Sequence, residues 1–476
     1  MTRTVWTSID FGRLPAPAPA DRPMTTTPLL TIVLAAGKGT RMKSALPKVM
    51  HRLAGLSILG HVLKAAQAAG SNEIAVVIGP DMDVVRAEVE QCAPRAKVFV
   101  QHEPLGTAHA VLSARPALAA HDGDVLVLVA DIPLLTPASI ARLRAALEAG
   151  NHVAVLGFET SDPDGYGRLV TDASGALLAI REHEDASAEE RAISFCNSGV
   201  LAFRHTDLLP LLDRIGGINA QGEYYLTDAI EVARKEGLKV AAVACPEEEG
   251  VGINSRDQLA AAERIYQDRR RLAAMLEGAT LIAPETVWFS HDTRIGRDVI
   301  IEPNVFFGPG VVVEDGVVIR ANCHFTGARI RAGAEVGPFA RFRPGADIGP
   351  GVHIGNFVEV KNSTLEEGAK ANHLAYIGDG RVGARTNIGA GTILCNYDGF
   401  NKHRTDIGAG AFIGSNTSLV APVKVGDGAY IGSGSVITKD VPADALALER
   451  TEQHVRPGWA AKFRALMSRH KARGTG

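Results

Sequence analysis

A six-residue period governs the chain from Ile295 to Ile437. Counting in sixes from Ile295, the residues reached are Ile301, Phe307, Val313, Ile319 and Phe325, all apolar. After a slip of one residue the count resumes at Ile330, Val336, Phe342, Ile348, Ile354 and Val360, and after a longer break at Ile407, Ile413, Leu419, Val425, Ile431 and Ile437. A fixed short period predicts a β-helix in which each repeat is one short strand plus a corner. The apolar residue points inwards and stacks on its equivalent one coil along. Gly follows directly after Ile348, Ile354, Ile388, Ile407, Ile413, Val425 and Ile431, where corners so tight often demand φ > 0, which Gly adopts without a Cβ clash. A β-sandwich would alternate with period two and irregular spacing, which this stretch does not follow.

The first half reads differently. From Leu29 to about Val251, β-rich runs at Leu30–Leu34, Ile74–Ile78, Val98–Gln101, Val125–Val129 and Val153–Phe158 are separated by Ala- and Leu-rich helical segments. That alternation predicts an open, mostly parallel α/β sheet with helices on both faces, which binds ligands beyond the carboxyl ends of its strands. Arg256 to about Gly278 forms a charged amphipathic helix, and Gly458 to Lys471 is a helical candidate in the tail. The expected division is a disordered leader over 1–27, an α/β domain over 28–252, a linker helix over 253–278, and the β-helix with its tail over 279–476. Residues 1–23 lack the unbroken apolar stretch of a signal peptide, and Met24 is a candidate start. A net charge of −3 gives no basic excess for nucleic acid, and no apolar run approaches the roughly 20 residues of a membrane helix. The five scattered cysteines form no CxxC pair and suit a reducing compartment.

Strand Leu30–Leu34 runs into Ala35-Ala36-Gly37-Lys38-Gly39-Thr40-Arg41-Met42, followed by Leu46-Pro47-Lys48. Two glycines let the backbone approach a ligand and aim N–H groups at phosphate oxygens, and Arg41 and Lys48 add positive charge. The spacing is neither a Walker motif nor a dinucleotide fingerprint. A GxG after a strand is also what a plain tight turn gives, but GxGTRM with PK seven residues after the Arg resembles the sugar-phosphate nucleotidylyltransferases. That resemblance implies that Leu34, Ala35, Ala36, Gly37, Arg41 and Lys48 hold the nucleotide of UTP, and that Gln101, Gly106 and Thr107 read its base. Pro104 stands where relatives usually carry a second Gln. It further implies a strand-end segment Val129, Ala130, Asp131, with Ala130 in place of a Gly. Gly167, Glu182 and Asn197 then hold the sugar, and Asp131 and Asn254 ligate Mg²⁺. By spacing alone Asn254 also reads as an N-cap of the connector helix; for Asp131 the same reading, towards the helix near Pro137, is disfavoured by five intervening residues. The chemistry implied is displacement at the α-phosphorus by a sugar 1-phosphate oxygen, which needs positioning and charge neutralisation but no general base.

The repeat carries its own polar cluster: Glu359, Lys361, His373 and Tyr376, near Arg341 and Arg343, with Asn387, Asn396 and Tyr397 further on. A coil of about eighteen residues places Arg343 and Lys361 side by side as a phosphate clamp, roughly 4.8 Å apart. Glu359 and His373, fourteen apart, are within plausible contact. A lone histidine is most often an ordinary exposed one, but hexapeptide-repeat proteins with such a histidine are typically acetyl-coenzyme A acyltransferases. An imidazole, with its usual pKa near ~6.5, suits removing a proton from an attacking amine. Together the two halves, from Leu29 to about Arg450, resemble the bifunctional N-acetylglucosamine-1-phosphate uridylyltransferase / glucosamine-1-phosphate acetyltransferases of the bacterial cell-wall pathway. The resemblance implies a left-handed β-helix, a cytoplasmic homotrimer, and no nucleic-acid or membrane partner. It assigns Arg343, Lys361, Tyr376 and Asn387 to glucosamine 1-phosphate, His373 as base, and Glu359 as the residue orienting it. Ala390, Asn396, Tyr397, Ser415, Ser433 and Arg450 line the acetyl donor, with Ser433 replacing an expected Ala. Two rivals are a nucleotidylyltransferase whose β-helix is regulatory, and a β-helix that is only a trimerisation stalk.

Overall fold

The computed structural model describes residues 27–473 except 38, 174 and 218, and the side chains of these as far as 470. The expected leader up to residue 26 lies outside the described residues. The chain falls into two compact units, one comprising the described residues up to Arg52 and Ser57–Ala262, the other Leu53–Leu56 and the chain from Glu263 onward. The division falls inside the long helix Arg256–Leu276.

In the first unit the sheet is built from β1 (Leu29–Leu34), β2 (Glu73–Ile78), β3 (Lys97–Val100), β4 (Asp124–Val129), β5 (Val153–Glu159), β6 (Arg168–Thr171), β7 (Leu177–Arg181), β8 (Phe195–Phe203) and β9 (Val240–Cys245). Its order is β9-β5-β8-β4-β1-β2-β3, with β6 and β7 appended to β8. β1 pairs in parallel with β2 and β4, β2 with β3, and β5 with β9. β8 alone runs antiparallel within this order, between β4 and β5. The strands at the centre are apolar on both faces because helices cover both, and two buried clusters flank the sheet. Ser57 caps helix Ile58–Ala68 by accepting from Gly60 N at 2.8 Å. β1, β3 and β4 all end at one edge, so the segments after them, from Ala35, Gln101 and Ala130, converge there.

The second unit is a parallel β-helix of three sheets, with 10, 9 and 8 strands, most of two or three residues. Every inward position of the six-residue count from Ile301 onward is buried in one continuous cluster. Phe289, Phe307, Phe325 and Phe342 stack one above another with ring centroids 5.2, 5.7 and 4.8 Å apart. The coils are not uniform. Ile301 pairs with Ile319, eighteen along, but Phe325 pairs with Phe342, seventeen along. The column also continues through the stretch where the sixes lapse, by way of Leu365, Ala371, Ile377, Val382, Ile388 and Leu394. A corner one residue shorter moves no inward side chain off the column, so the β-helix tolerates it while the written period breaks. The polar insertion then leaves after Cys395 and rejoins at Thr405, and across it Leu394 pairs with Leu419. The glycines after the inward residues do not take the positive φ expected of them; they are needed because coils approach closely, and a Cβ at Gly355 would stand 1.9 Å from Asn372 O.

Candidate active sites

In the first unit, the loops after β1, β3 and β4 enclose a cavity of about 270 Å³. Leu34, Ala35, Ala36, Gly37, Lys48, Gln101, Gly106, Thr107, Val129, Ala130 and Asp131 line it, and Pro104 and Glu223 join them. Gly39 has φ +65°, and a Cβ there would lie 2.3 Å from Lys48 Cβ, so this glycine is what lets the lysine stem pass the loop. Among the described residues, chain neighbours aside, nothing comes within 4 Å of a Cβ built on Gly37, which leaves that side of the loop room for a ligand. Arg41 is exposed.

Lys48 Nζ donates to Asp131 Oδ2 at 2.6 Å and to Asn254 Oδ1 at 2.8 Å. Both N-cap alternatives fall away. Thr136, accepting from Ser139 N, caps helix Pro137–Glu148. Asn254 turns its carboxamide towards Lys48, while Gln258 Oε1 accepts from the amides of Asn254 and Ser255. Two hard oxygen donors from distant parts of the chain therefore converge on one cationic point, a set that fits a small divalent ion. Among the described residues no group of three or more His, Cys, Asp or Glu side chains has metal-binding geometry.

Gln101 is buried, and its Nε2 donates to Gly106 O at 3.1 Å. Gly106, with φ +108°, packs so tightly on Tyr224 that a Cβ would lie 2.5 Å from its carbonyl oxygen. Gly167, Glu182 and Asn197 come together: a Cβ on Gly167 would be 3.3 Å from Glu182 Oε2 and 3.5 Å from Asn197 Cβ. Sequence reasoning passed over Thr227 and Asp228 beside them. Thr227 Oγ1 donates to Glu182 Oε1 at 2.9 Å. Burial pushes the Glu182 carboxyl up, against that hydrogen bond. Burial, with Glu231 and Glu182 nearby, pushes Asp228 up to about 6.

In the second unit the coil register decides what meets what. Glu359 pairs with Arg341 below and Tyr376 above, whereas His373 pairs with Asn356. Arg343 Nη1 donates to Glu359 Oε1 at 3.1 Å, and Arg341 lies 3.7 Å from the same carboxylate. The hydrogen bond of His373 goes from the Nδ1 edge to Asn356 Oδ1, at 2.9 Å. The expectation that Glu359 orients His373 is thus corrected: the register gives that place to Asn356 and commits Glu359 to arginine. Nor do Arg343 and Lys361 stand as two bare cations, since Lys361 Nζ lies 3.5 Å from Asp379. Asp379 is buried and also accepts from Asn362 (2.7 Å) and Asn396. Burial alone would raise its carboxyl, but Asn362, Asn396 and Lys361 together hold it below its ordinary value. Asn396 further donates to the Tyr376 hydroxyl at 3.4 Å. Asn387 follows His373 one coil on, in register with Lys370.

The remaining residues form a ladder along one corner. Gly391 N donates to His373 O, Asn416 N to Ala390 O and Gly434 N to Ser415 O, so His373, Ala390, Ser415 and Ser433 stand one per coil. Ser433, where an Ala was expected, spends its hydroxyl on Ser415 N at 3.1 Å. Arg450 donates to Ser433 O at 2.9 Å within its own chain. Tyr397 is exposed on the inserted loop, under the Lys402 ammonium at 4.7 Å.

A glycine loop with a lysine-bridged acid at the strand ends of one unit, and a histidine ladder on a repeat β-helix in the other, define a nucleotidyltransferase joined to a hexapeptide transferase. Comparison with known proteins agrees. A model of the MobA-like NTP transferase domain matches residues 31–279, and one of the bacterial transferase hexapeptide (six repeats) matches 292–327 and 404–439. The chain is similar to the bifunctional protein GlmU of Azorhizobium caulinodans, 60% identical over 443 residues that cover 93% of this chain and 99% of that one. It is 59% identical to that of Xanthobacter autotrophicus, with the same coverage, and 55% to that of Paramagnetospirillum magneticum, over 94% of this chain and 100% of that one. The chain belongs to the bifunctional GlmU family, with a left-handed β-helix as its second unit. It is an enzyme of UDP-N-acetylglucosamine synthesis: it acetylates glucosamine 1-phosphate from acetyl-coenzyme A and transfers UMP from UTP to N-acetylglucosamine 1-phosphate, releasing pyrophosphate. Among the described residues no helix is long and apolar enough to cross a membrane.

The Asp228 shift sets a pH dependence. The folded chain binds this proton more tightly than the unfolded chain, so the contribution of Asp228 to stability falls as pH rises from about 3.8 through about 6. Asp228→Asn should raise the thermal midpoint at pH 7.5, with the gain over wild type vanishing near pH 4. An equal gap at both pH values would contradict this.

Proposed function

We propose a division of labour among these residues for the two reactions. In uridylyl transfer, the loop from Ala35 to Lys48 holds the triphosphate. Gln101, Gly106 and Thr107 seat the uracil, and Gly167, Glu182 and Asn197 seat the sugar. The attacking phosphate oxygen forms its bond to the α-phosphorus as the bond to pyrophosphate breaks, and no proton need move. Lys48 and Arg41 counter the accumulated negative charge. Asp131 and Asn254 would hold Mg²⁺, which supplies charge neutralisation at the phosphates when bound. The observation that carries this reading is the convergence of Asp131 Oδ2 and Asn254 Oδ1 on one ammonium at 2.6 and 2.8 Å.

In acetyl transfer, Arg343 and Lys361, each set by a carboxylate, take the sugar phosphate, with Tyr376 and Asn387 along the sugar. His373 receives the proton that the substrate amine loses as its nitrogen bonds the acetyl carbon; the thioester C–S bond breaks, and the departing thiolate takes up that proton to leave as coenzyme A thiol. Ala390, Ser415, Ser433 and Arg450 offer a ladder of coil-spaced contacts for an extended donor, and Asn396 and Tyr397 stand beside it. All five cysteines are unpaired, which supports a cytoplasmic setting.

The assay that tests the division uses two variants of the full chain. Asp131→Ala should lose uridylyl transfer by about 10²-fold or more while acetyl transfer persists. His373→Ala should lose acetyl transfer by about 10²–10⁴-fold while uridylyl transfer from supplied N-acetylglucosamine 1-phosphate persists. Loss of both activities in either folded variant would defeat the two-site reading.

The enzyme works as a homotrimer in this reading, and the corner beside His373 supports it. Asn304, Asn322, Phe339, Phe357, Leu374 and Asn416 occupy it in successive coils, all with φ between 51° and 62°, together with Gly391 and Gly434. Asn and Gly suit that left-handed conformation; Phe and Leu do not. Yet Phe339, Phe357 and Leu374 are 48%, 54% and 61% exposed, and the two phenylalanine rings stack 5.1 Å apart. Three strained, exposed apolar residues in a row fit a surface that a second copy covers. Phe357→Asn relieves the backbone strain yet removes the contact, so it should lower the sedimenting mass at low micromolar concentration. A trimer as persistent as wild type would contradict the assignment.

A further inference from the structure

We propose that Asn356 is a positioning residue for acetyl transfer: its carboxamide fixes His373 in the tautomer that carries the proton on Nδ1, leaving Nε2 to accept the proton of the substrate amine. The inference rests on the reading of His373 as base. It begins with the main chain. Asn356 and His373 are paired residues of adjacent parallel strands, His353–Asn356 and Lys370–His373. The next amide, Leu374 N, donates to Asn356 O at 3.0 Å, so the two backbones are tied at the point where their side chains emerge. Asn356 Oδ1 then lies 2.9 Å from His373 Nδ1. A carboxamide oxygen only accepts, so the ring nitrogen facing it must carry the hydrogen. The other ring nitrogen keeps its lone pair.

A carboxylate would orient the ring equally well, but it would also favour the charged imidazolium, which cannot act as a base. An amide orients without adding charge. The charged groups on the elements packed against His373 can be named in turn. On its own strand and the strand below, the titratable residues are Lys370 and His353, which stand opposite each other in the ladder three residues before His373 and Asn356. The strand above contributes Asn387 in register with Lys370, and the corner above contributes the amide of Gly391. Glu359, on the strand that follows Asn356, is taken by Arg343 and Arg341.

The test measures coenzyme A thiol release by the full-length enzyme across pH for Asn356→Ala, Asn356→Asp and His373→Ala. Asn356→Ala should lose roughly tenfold to a hundredfold in kcat, the cost typical of removing an orienting partner from a functional imidazole, with KM for glucosamine 1-phosphate nearly unchanged. Asn356→Asp should recover most of kcat at high pH, with the acid limb of its profile moved up by about one unit, because a carboxylate favours the protonated ring. A merely structural role for Asn356 moves no pH limb. Wild-type kcat in Asn356→Ala, or an unmoved limb in Asn356→Asp, overturns the proposal. If Asn356→Ala fails to assemble, the limb of Asn356→Asp alone decides. His373→Ala separates the two levels: if it keeps full activity, the reading of His373 as base fails and this inference with it, whereas an inactive His373→Ala beside a fully active Asn356→Ala sinks this inference only.

Discussion

The hydrogen-bonded register between successive coils is the constraint on which the second unit depends. Each coil of two- or three-residue strands is too short to hold itself together, and an isolated one buries nothing. Stacked in register, the coils align an apolar column from Phe289 to Ile437 and, on the outside, align chosen polar residues at strand spacing. The same register that places Phe342 on Phe325 places Asn356 under His373 and Arg341 under Glu359. Core and site are therefore products of one alignment. Away from the site the outward positions carry ion pairs such as Arg331–Asp347 and Arg381–Glu366, which are worth little individually in solvent. Beside His373 the outward corner instead carries strained apolar residues.

The first unit reaches its site by another route. Parallel strands β1, β3 and β4 end at one edge, so three loops that are far apart in sequence meet there. Lys48 draws that meeting to a point, bridging an acid that follows β4 and an amide that precedes the long helix. The glycines are needed where a side chain would block this: Gly39 against Lys48, and Gly106 against Tyr224.

Much of this was legible in the sequence. The six-residue count found the column, and strand–helix alternation found the sheet. The Gly37-to-Lys48 loop and Asp131 stand where the pattern of strand ends put them. What arithmetic could not carry was the exact coil length. Eighteen does hold at Arg343 and Lys361, which the ladder sets side by side, and what the count lacked there was the carboxylates Glu359 and Asp379 that pair with them. The fourteen residues between Glu359 and His373 fixed no contact, and the role of Glu359 as its orienting partner came from the resemblance. The corners shortened to seventeen residues set Asn356 beneath His373 instead, and carrying the slip through Leu365 and Leu394 would have found it. Asp379 escaped notice because it lies at a corner with φ +52°, where its letter looks like a turn residue, although it gathers Lys361, Asn362 and Asn396. Asn254 was ambiguous for a different reason. Its position before a helix satisfies a capping rule, and only the tertiary fold decides that Gln258 serves those amides and frees the carboxamide for Lys48.

The central claim is that one chain carries two chemistries in sequence on the same sugar phosphate. The most direct measurement supplies the purified chain with glucosamine 1-phosphate, acetyl-coenzyme A and UTP, omits each in turn, and follows thiol and pyrophosphate together. Thiol release should require the first two and be indifferent to UTP, while pyrophosphate release should require all three. Pyrophosphate released just as fast without acetyl-coenzyme A, or no thiol under any condition, would contradict the account.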